Sequence, residues 1–274
     1  MRIATCNVNG LRAAAVKGMA AWKEAVNADV LLLQEVRAPE SLIEGLIGPG
    51  YHVFSRACDI KGRAGVTVAV RESIATGEVR VGVAEPNGLE EPLVDTGRWI
   101  EVELPEYSMT VVSAYLHSGD ARVEEKMAAK FSHLDSVSRR LEAMQSGAAT
   151  ANTQRIVVTG DFNIVHTPLD ITNWKPNHNK TAGVLDEEIA YLDRWFGDYG
   201  YVDTQRSLSP DTQGPYTWWS QRGKAYDNNV GWRIDYQMTN PAMAQSARAF
   251  SIDRAATYAT RFSDHAPLII DYEL

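Results

Sequence analysis

Short apolar runs of strand length recur along the chain, while only a few segments have the spacing of a helix. The runs cover residues 3–5, 30–33, 66–70, 99–104, 109–116, 156–158, 234–238 and 267–272. β-branched residues are frequent in several of them, and glycine or proline bounds many, as is typical of strands. The clearest helical pattern is formed by apolar residues three or four apart: Met127, Phe131, Leu134, Val137, Leu141 and Met144. Many strands with few helices predict sheets packed together, with helices outside.

Two weaker helical patterns cover residues 13–26 and 186–196, and small residues at 147–153 predict a loop of ordinary length. The helices are too few to alternate with the strands, which argues against a simple doubly wound parallel sheet. We expect one domain over residues 1–274, because no linker, repeat or low-complexity tail interrupts the chain. A glycine-rich phosphate loop is absent from the sequence, which argues against a nucleotide-dependent transferase or an oxidoreductase.

The composition is that of a soluble globular protein, with 45% hydrophobic and 23% charged residues. No apolar run approaches the roughly 20 residues that a membrane span needs, and the first residues lack a secretory signal. Cys6 and Cys58 are the two cysteines. So few cysteines predict free thiols in a reducing compartment rather than a disulfide framework, and we expect a cytoplasmic protein.

The net charge of −8 argues at first against a polyanionic partner. Acidic residues cluster at 90–91 and 186–188, however, while basic residues lie in three polar loops: Lys61 and Arg63, Lys175 and Lys180, and Arg222 and Lys224. A surface with separate acidic and basic faces would be compatible with DNA binding. The alternative, that these are ordinary solvated loop residues, is equally consistent with the sequence.

Polar side chains lie at the ends of five apolar runs. Asn7, Glu35 and Tyr115 end or follow three of them, Asp161 and Asn163 follow a fourth, and Asp264 and His265 precede the last. Carboxylate, amide and imidazole groups at strand ends suit a hard metal ion held beside a phosphate. Magnesium needs only one or two carboxylates, since water and phosphate oxygens complete its octahedron.

Each of these groups also has a structural explanation. Glu35 follows an apolar run, and a carboxylate there is paired, caps a helix or binds metal, because an unpaired buried charge costs several kcal/mol. Glu35 with Asp264 would suffice for a metal, and Asn7 could either orient Glu35 or complete the layer of residues around the ligands. Asp161 and Asn163 are two residues apart, which predicts that they lie on one side of an extended segment. They could orient water and stabilise an oxyanion, although a turn is the common use of such residues.

His265 is a candidate catalytic group, although a single histidine at a strand start is more often structural. Asp235, inside an apolar run, could hold its imidazole in one tautomer and raise its pKa. Tyr115 could bind a phosphate oxygen or belong to the core. Trp218, Trp219 and Trp232 could wall a pocket for an extruded sugar or nucleotide, or serve as packing.

The chain resembles the exonuclease III family of abasic-site endonucleases, within the endonuclease/exonuclease/phosphatase superfamily. The motifs that carry the resemblance keep their order over the whole length: residues 7–12, 33–35, 65–66, 113–115, 160–163, 231–236 and 263–265. It implies an α/β fold, a four-layer sandwich of two mostly antiparallel β-sheets packed face to face, with helices on the outside and a metal-dependent site at one edge. Asn9 departs from the pattern, because some relatives carry Asp there.

The resemblance also implies roles for individual residues. Mg²⁺, or Mn²⁺, would bind at Glu35, with Asn7, Asp264, Asp161 and Asn163 as the surrounding ligand candidates. The implied catalytic residues are Asp161, Asn163, His265, Asp235 and Tyr115, with either Asp161 or His265 as the general base and Asp161 preferred. The implied substrate contacts are Trp218, Trp232 and Ile234 around a flipped abasic sugar, together with Arg37 and Arg63.

The predicted function is that of a DNA-repair phosphodiesterase of base excision repair. It would hydrolyse the backbone 5′ to abasic sites in double-stranded DNA and trim blocked or ordinary 3′ ends in the 3′–5′ direction. We expect a monomer without a membrane partner. Two alternatives stay open: a nucleic-acid-binding regulator with a relict site, and a phosphatase acting on small phosphoesters.

Overall fold

The computed structural model describes residues 1–83, 91–147 and 154–274. Glu90 of the first acidic cluster, and residues 148–153 of the predicted loop, lie outside the described residues. Within the described ranges, twelve strands form two six-stranded sheets. In chain order they are β1 Arg2–Asn7, β2 Val30–Gln34, β3 Tyr51–Arg56, β4 Val66–Arg71, β5 Val79–Val81, β6 Trp99–Leu104, β7 Met109–Tyr115, β8 Arg155–Asp161, β9 Val202–Asp203, β10 Asp235–Thr239, β11 Ala247–Ile252 and β12 Leu268–Tyr272.

The helices are mostly short. They are α1 Leu11–Ala14, α2 Ala20–Val26, α3 Glu40–Ile47, α4 Glu124–Gln145, α5 Trp174–Asn177, α6 Asp186–Phe196, α7 Thr204–Leu208 and α8 Pro241–Ala244. A π-helical turn at Ala15–Met19 joins α1 to α2, so the helical segment predicted from residue 13 begins at Leu11. The predicted patterns at 127–144 and 186–196 correspond to α4 and α6. Among the described helices, none is long and apolar enough to cross a membrane.

Both sheets are mixed, and each contains one parallel pair. The strand orders are β11-β12-β1-β2-β4-β3 and β5-β6-β7-β8-β10-β9. β1 pairs in parallel with β2, and β7 pairs in parallel with β8. Every other neighbouring pair is antiparallel. The prediction of mostly antiparallel sheets is therefore confirmed.

Alternating side chains along the strands separate the molecule into four layers. Val30 and Leu32 of β2 point between the sheets, where they pack with Val111 of β7 and Val157 of β8. The intervening residues face outward, because successive side chains of a strand point to opposite faces. Leu31 and Leu33 accordingly pack in a cluster with residues of α1, α2 and α3. On the other side, Val112 and Val158 pack against α4 and α6. The predicted four-layer sandwich is confirmed.

Four strands were not predicted. β3, β5, β9 and β11 lie at or next to the outer edges of the sheets, and many of their side chains are half-buried or exposed. A strand that faces water over much of its length does not need a continuous apolar run. The pattern that predicted the central strands is therefore missing from these edge strands.

Candidate active site

The two parallel pairs bring the carboxyl ends of four central strands to one edge of the sandwich. Asn7 of β1 is in register with Gln34 of β2, and Tyr115 of β7 is in register with Asp161 of β8. The Asn7 side-chain amide donates a hydrogen bond to Asp161 Oδ2 at 2.8 Å. This bond links the two sheets, so the polar residues that follow these strands belong to one site.

Gly160 sets the path of β8 just before Asp161. Its φ is 143°, and a Cβ at this position would lie 1.9 Å from the Ala114 carbonyl oxygen on the neighbouring β7. Only glycine fits so close to another backbone. The glycine of this motif is therefore required by strand packing rather than by a turn.

Several cleft residues have left-handed backbone conformations. The φ values are 46° at Asn9, 54° at Glu35, 50° at Arg37 and 53° at Asn163. Asparagine tolerates this region well, but glutamate and arginine adopt it rarely. Such strain is common where side chains must be aimed at a site. The prediction that Asp161 and Asn163 share an extended segment is wrong, because β8 ends at Asp161 and the chain turns at Asn163.

Asp161 is a buried carboxylate that lines the cleft. Besides Asn7, it accepts a hydrogen bond from the backbone N–H of Asn163 on Oδ1, at 3.0 Å. Burial raises the pKa of Asp161 to about 7, although the charge of His265 acts in the opposite direction. A carboxylate whose pKa lies near neutrality is suited to accept a proton.

His265 and Asp235 form a buried pair beside Asp161. His265 Nδ1 lies 2.8 Å from Asp235 Oδ2, and its Nε2 lies 3.7 Å from Asp161 Oδ2. Burial would lower the pKa of His265, but the carboxylates of Asp235 and Asp161 outweigh it and raise the pKa to about 10. The predicted Asp235–His265 pairing is present in the structure. It presents a cationic imidazolium to the cleft.

Asp264 lies in a second network on the same edge. Its Oδ1 accepts from the Asn9 amide at 2.9 Å, and its Oδ2 accepts from Trp218 Nε1 at 3.2 Å. Burial alone would raise the pKa of Asp264, but His265 and these two donors hold it below its ordinary value. Asp264 is thus an oriented, ionised carboxylate.

A buried ion pair between α4 and α6 holds the backbone of Asn163 in place. Lys130 Nζ on α4 lies 2.6 Å from the carboxylate of Glu188 on α6, and both side chains are fully buried. The same ammonium donates to the Asn163 carbonyl at 3.1 Å and to the Ser118 carbonyl at 3.3 Å. The Asn163 side-chain amide donates to the Leu116 carbonyl at 3.0 Å. The outer helices therefore hold the cleft loops in place.

These groups surround a cavity of about 750 Å³. The predicted residues that line it are Glu35, Arg37, Tyr115, Asp161, Asn163, Trp218, Trp232, Ile234, Asp264 and His265. Asn7 and Asp235 lie behind this lining, bonded to Asp161 and His265. Arg63 is not among the lining residues; it is exposed on the loop between β3 and β4.

Two residues of the predicted basic loops, Lys180 and Arg222, also line the cavity, whereas Lys61, Lys175 and Lys224 do not. Within the described part of the chain, neither Lys180 nor Arg222 forms an ion pair. Sequence reasoning missed Arg122, which lines the cavity and pairs with Asp120. Its loop directly follows β7, and that position at a strand end was the available signal.

Tyr115 and two tryptophans give the cavity its aromatic walls. Burial raises the pKa of Tyr115 well above its usual value, so the phenol keeps its proton and can donate a hydrogen bond. The Arg98 guanidinium lies 4.9 Å from the centre of its ring. Trp218 and Trp232 meet edge to face with ring centres 5.5 Å apart. Trp219, in contrast, is buried in a separate cluster and serves as packing.

Acidic and histidine groups that could hold a metal are present in the cleft. Ligand atoms of Asp161, Asp235 and His265 lie within 4.8 Å of one another. Hydrogen bonds already join Asp235 to His265 and Asp161 to Asn7. Glu35 and Asp264 instead present carboxylates to the open cavity, with Glu35 paired to Arg37 at its rim. Oxygen donors of this kind fit a hard divalent cation.

Comparisons with known proteins agree with this geometry. Residues 4–265 match the model of the Endonuclease/Exonuclease/phosphatase family. The exodeoxyribonuclease of Bacillus subtilis is 30% identical over 271 residues, which cover 98% of each chain. A Neisseria 3′ phosphatase, solved with a product DNA hairpin, superposes with a TM-score of 0.83 at 23% identity, and an AP endonuclease from Archaeoglobus fulgidus superposes with a TM-score of 0.81 at 24% identity. Both alignments cover all of each chain, and they establish the fold.

Proposed function

The chain belongs to the Endonuclease/Exonuclease/phosphatase family, and on that basis we propose that it is a divalent-metal-dependent DNA-repair phosphodiesterase. It hydrolyses the DNA backbone 5′ to abasic sites, has 3′–5′ exodeoxyribonuclease activity and trims blocked 3′ ends. The names of the relatives, exodeoxyribonuclease and AP endonuclease among them, support this choice.

One observation carries the proposal. Glu35, the neighbouring Asp161 and Asn163, and His265 come from three distant parts of the chain and line one cavity. A relict site in a binding protein has no need to keep a carboxylate, an amide and an imidazole together. Their chemistry matches the needs of phosphodiester hydrolysis: activation of water, stabilisation of the charge that develops on phosphorus, and support of the leaving oxygen.

Asp161 acts as the general base for the attacking water. Its hydrogen bonds to Asn7 and to the Asn163 backbone fix its carboxylate. His265, held by Asp235, places positive charge beside the developing phosphorane. An asparagine amide has two donor hydrogens; one N–H of Asn163 donates to Leu116, and the second donates to a phosphate oxygen. The Tyr115 hydroxyl donates a hydrogen bond to the same phosphate.

Glu35 and Asp264 would hold Mg²⁺, with Mn²⁺ as a substitute, and Asn7, Asp161 and Asn163 adjoin that position. The ion supplies Lewis-acid neutralisation of the scissile phosphate and the leaving oxygen. Asn9 contributes an amide where some relatives carry Asp, so this chain has one fewer carboxylate for a second metal. The donor set therefore favours a single ion.

The substrate is double-stranded DNA. Arg37, Arg122, Lys180 and Arg222 place cationic groups around the acidic floor of the cavity, which suits a backbone that passes over the cleft. Trp218, Trp232 and Ile234 form an apolar wall of the cavity that would receive a flipped abasic sugar. Arg63, outside the cavity, would contact the flanking duplex. We further propose that the chain acts as one domain, as a monomer and in the cytoplasm.

The test is a substrate comparison with purified protein. A duplex with a reduced abasic analogue should be incised on its 5′ side in Mg²⁺ and left intact in chelator, and 3′-phosphate ends should be trimmed. Glu35→Gln serves as the control for the metal, and it should need a higher Mg²⁺ concentration to reach the same incision rate. Binding of DNA without cleavage in Mg²⁺ would support the regulator instead. Turnover of inositol phosphates or sphingomyelin, with intact abasic duplex, would support the small-phosphoester phosphatase.

A further inference from the structure

A second cluster of metal-binding side chains lies outside the catalytic cleft. Asp95 precedes β6, His117 follows β7 and His133 lies on α4, and ligand atoms of the three lie within 4.8 Å of one another. His117 Nε2 is 2.6 Å from Asp95 Oδ1, and His133 Nδ1 is 3.7 Å from the same oxygen. The two imidazole rings meet edge to face, with centres 5.2 Å apart.

His133 is the unusual member of this cluster. Its side chain is 0% exposed, and among the described residues neither ring nitrogen has a hydrogen-bond partner. A buried polar group without a partner costs free energy. His133 Nδ1 lies 3.7 Å from Asp95 Oδ1, so one of its two unpartnered nitrogens faces that carboxylate. A metal ion between them would use this nitrogen as a ligand.

Asp95 is the anion of the cluster, and two cations, Arg98 and Lys130, act on its histidines from nearby. Arg98 is nearby, but its guanidinium donates to the carbonyls of Val94 and Tyr115 rather than to Asp95. Burial lowers the pKa of His133 to about 3, against the attraction of Asp95, and burial also lowers that of His117. Both imidazoles are therefore neutral at physiological pH, which is the form that binds metals.

We propose that Asp95, His117 and His133 form a zinc site that is separate from the catalytic metal position. Two imidazole nitrogens and one carboxylate are a common protein ligand set for Zn²⁺, whereas Mg²⁺ prefers oxygen ligands alone. In tetrahedral coordination with bonds of about 2.1 Å, ligand atoms lie about 3.4 Å apart. His117 and Asp95 would need to separate by less than 1 Å, and His133 and Asp95 would need to approach by less than that.

The position gives the ion a structural role. His117 is followed directly by Ser118 and Gly119, which line the catalytic cavity. Zn²⁺ would tie this loop to α4 and to the segment before β6, and it would give one ring nitrogen of His133 a partner beside the buried carboxylate of Asp95. The fourth ligand would be water, since His117 and Asp95 retain 12% and 10% side-chain exposure.

Metal content tests the proposal without any assay of activity. Chelator-dialysed protein is reconstituted with Zn²⁺ in excess Mg²⁺, freed of loose metal and analysed by mass spectrometry. The wild type should retain one more Zn²⁺ per chain than His133→Leu. Zn²⁺ should also raise the melting temperature of the wild type by roughly 5–10 °C if it is present at 100 times the Kd. Co²⁺ should give the visible absorption of a four-coordinate site.

His117→Asn, at the more exposed ligand, is a second variant in case His133→Leu folds poorly, and it should also lose one Zn²⁺. Glu35→Gln is the matched control in the catalytic cleft, and it should keep the ion. Equal zinc content in the wild type and both histidine variants, without a zinc-dependent shift in melting temperature, would overturn the proposal. The cluster would then be a hydrogen-bonded Asp95–His117 pair with His133 packed beside it. Incision of abasic DNA is tested separately, so failure of the zinc site leaves the proposed function untouched.

Discussion

Asn7 and Asp161 join the two sheets through one hydrogen bond of 2.8 Å. Asn7 ends β1 of one sheet, and Asp161 ends β8 of the other. The bond lies at the sheet edge where the cavity opens, and its acceptor is the proposed general base. The packing of the sandwich and the basicity of the Asp161 carboxylate are therefore coupled at this point.

Replacement of Asn7 by Asp should disturb that base directly. Two carboxylates in contact cannot both ionise easily, so the pKa of Asp161 should rise further above about 7. We expect turnover at neutral pH to fall at least tenfold and the acidic limb of the pH–rate profile to move to higher pH. The matched control is Asn9→Asp, which makes the same charge change next to Asp264. A pH profile for Asn7→Asp that matches the wild type would contradict the role of this contact.

Asp235→Asn tests the His265 pair. The carboxylate of Asp235 is a principal cause of the raised pKa of His265, so an amide should lower that pKa and leave the imidazole less firmly held. We expect kcat to fall at least tenfold with little change in duplex affinity, because Asp235 does not line the cavity. Single-turnover incision and a binding titration separate the two effects. Loss of binding with unchanged kcat would count against this assignment.

The Lys130–Glu188 pair should be essential for stability. Breaking a buried pair by removing one partner leaves an uncompensated charge and costs about 3–5 kcal/mol. Lys130→Met should therefore lower the free energy of unfolding, measured in urea, by about that amount. Lys126→Met is the control on the same helix, and its exposed side chain should change stability by less than about 0.5 kcal/mol. Similar free energies of unfolding for the two variants would show that the buried pair stabilises the fold no more than an exposed lysine does.

Salt dependence tests the cationic rim. Each phosphate contact contributes about 0.9 to the slope of log affinity against log salt concentration. Lys180→Ala and Arg222→Ala should each weaken duplex binding across sequences and reduce that slope by about one. Lys175→Ala, in the same loop as Lys180 but outside the cavity, should change neither. A flat salt response in the wild type would mean that the basic loops are ordinary solvated surface.

The sequence predicted the central strands and most of the polar residues that line the cleft, because both leave local patterns. Buried runs end in polar residues at the sheet edge, and the apolar residues of α4 recur every three or four positions. The edge strands leave no such pattern. The left-handed turn at Asn163 was also missed. It is held partly by Lys130 on α4, which is distant in the sequence, so no local pattern predicts it. The Asp95–His117–His133 cluster was invisible for the same reason. Its members come from a loop, a strand end and a helix, with no motif spacing between them.

The most direct test of the account compares wild-type protein with Asp161→Asn on a duplex that contains one reduced abasic analogue, in saturating Mg²⁺. Asparagine keeps the size of the side chain but cannot accept the proton of water. Single-turnover incision should fall by several orders of magnitude, while duplex affinity, measured in chelator, stays within a few-fold of the wild type. Comparable incision rates in the two proteins would remove Asp161 from the chemistry and contradict the proposed site.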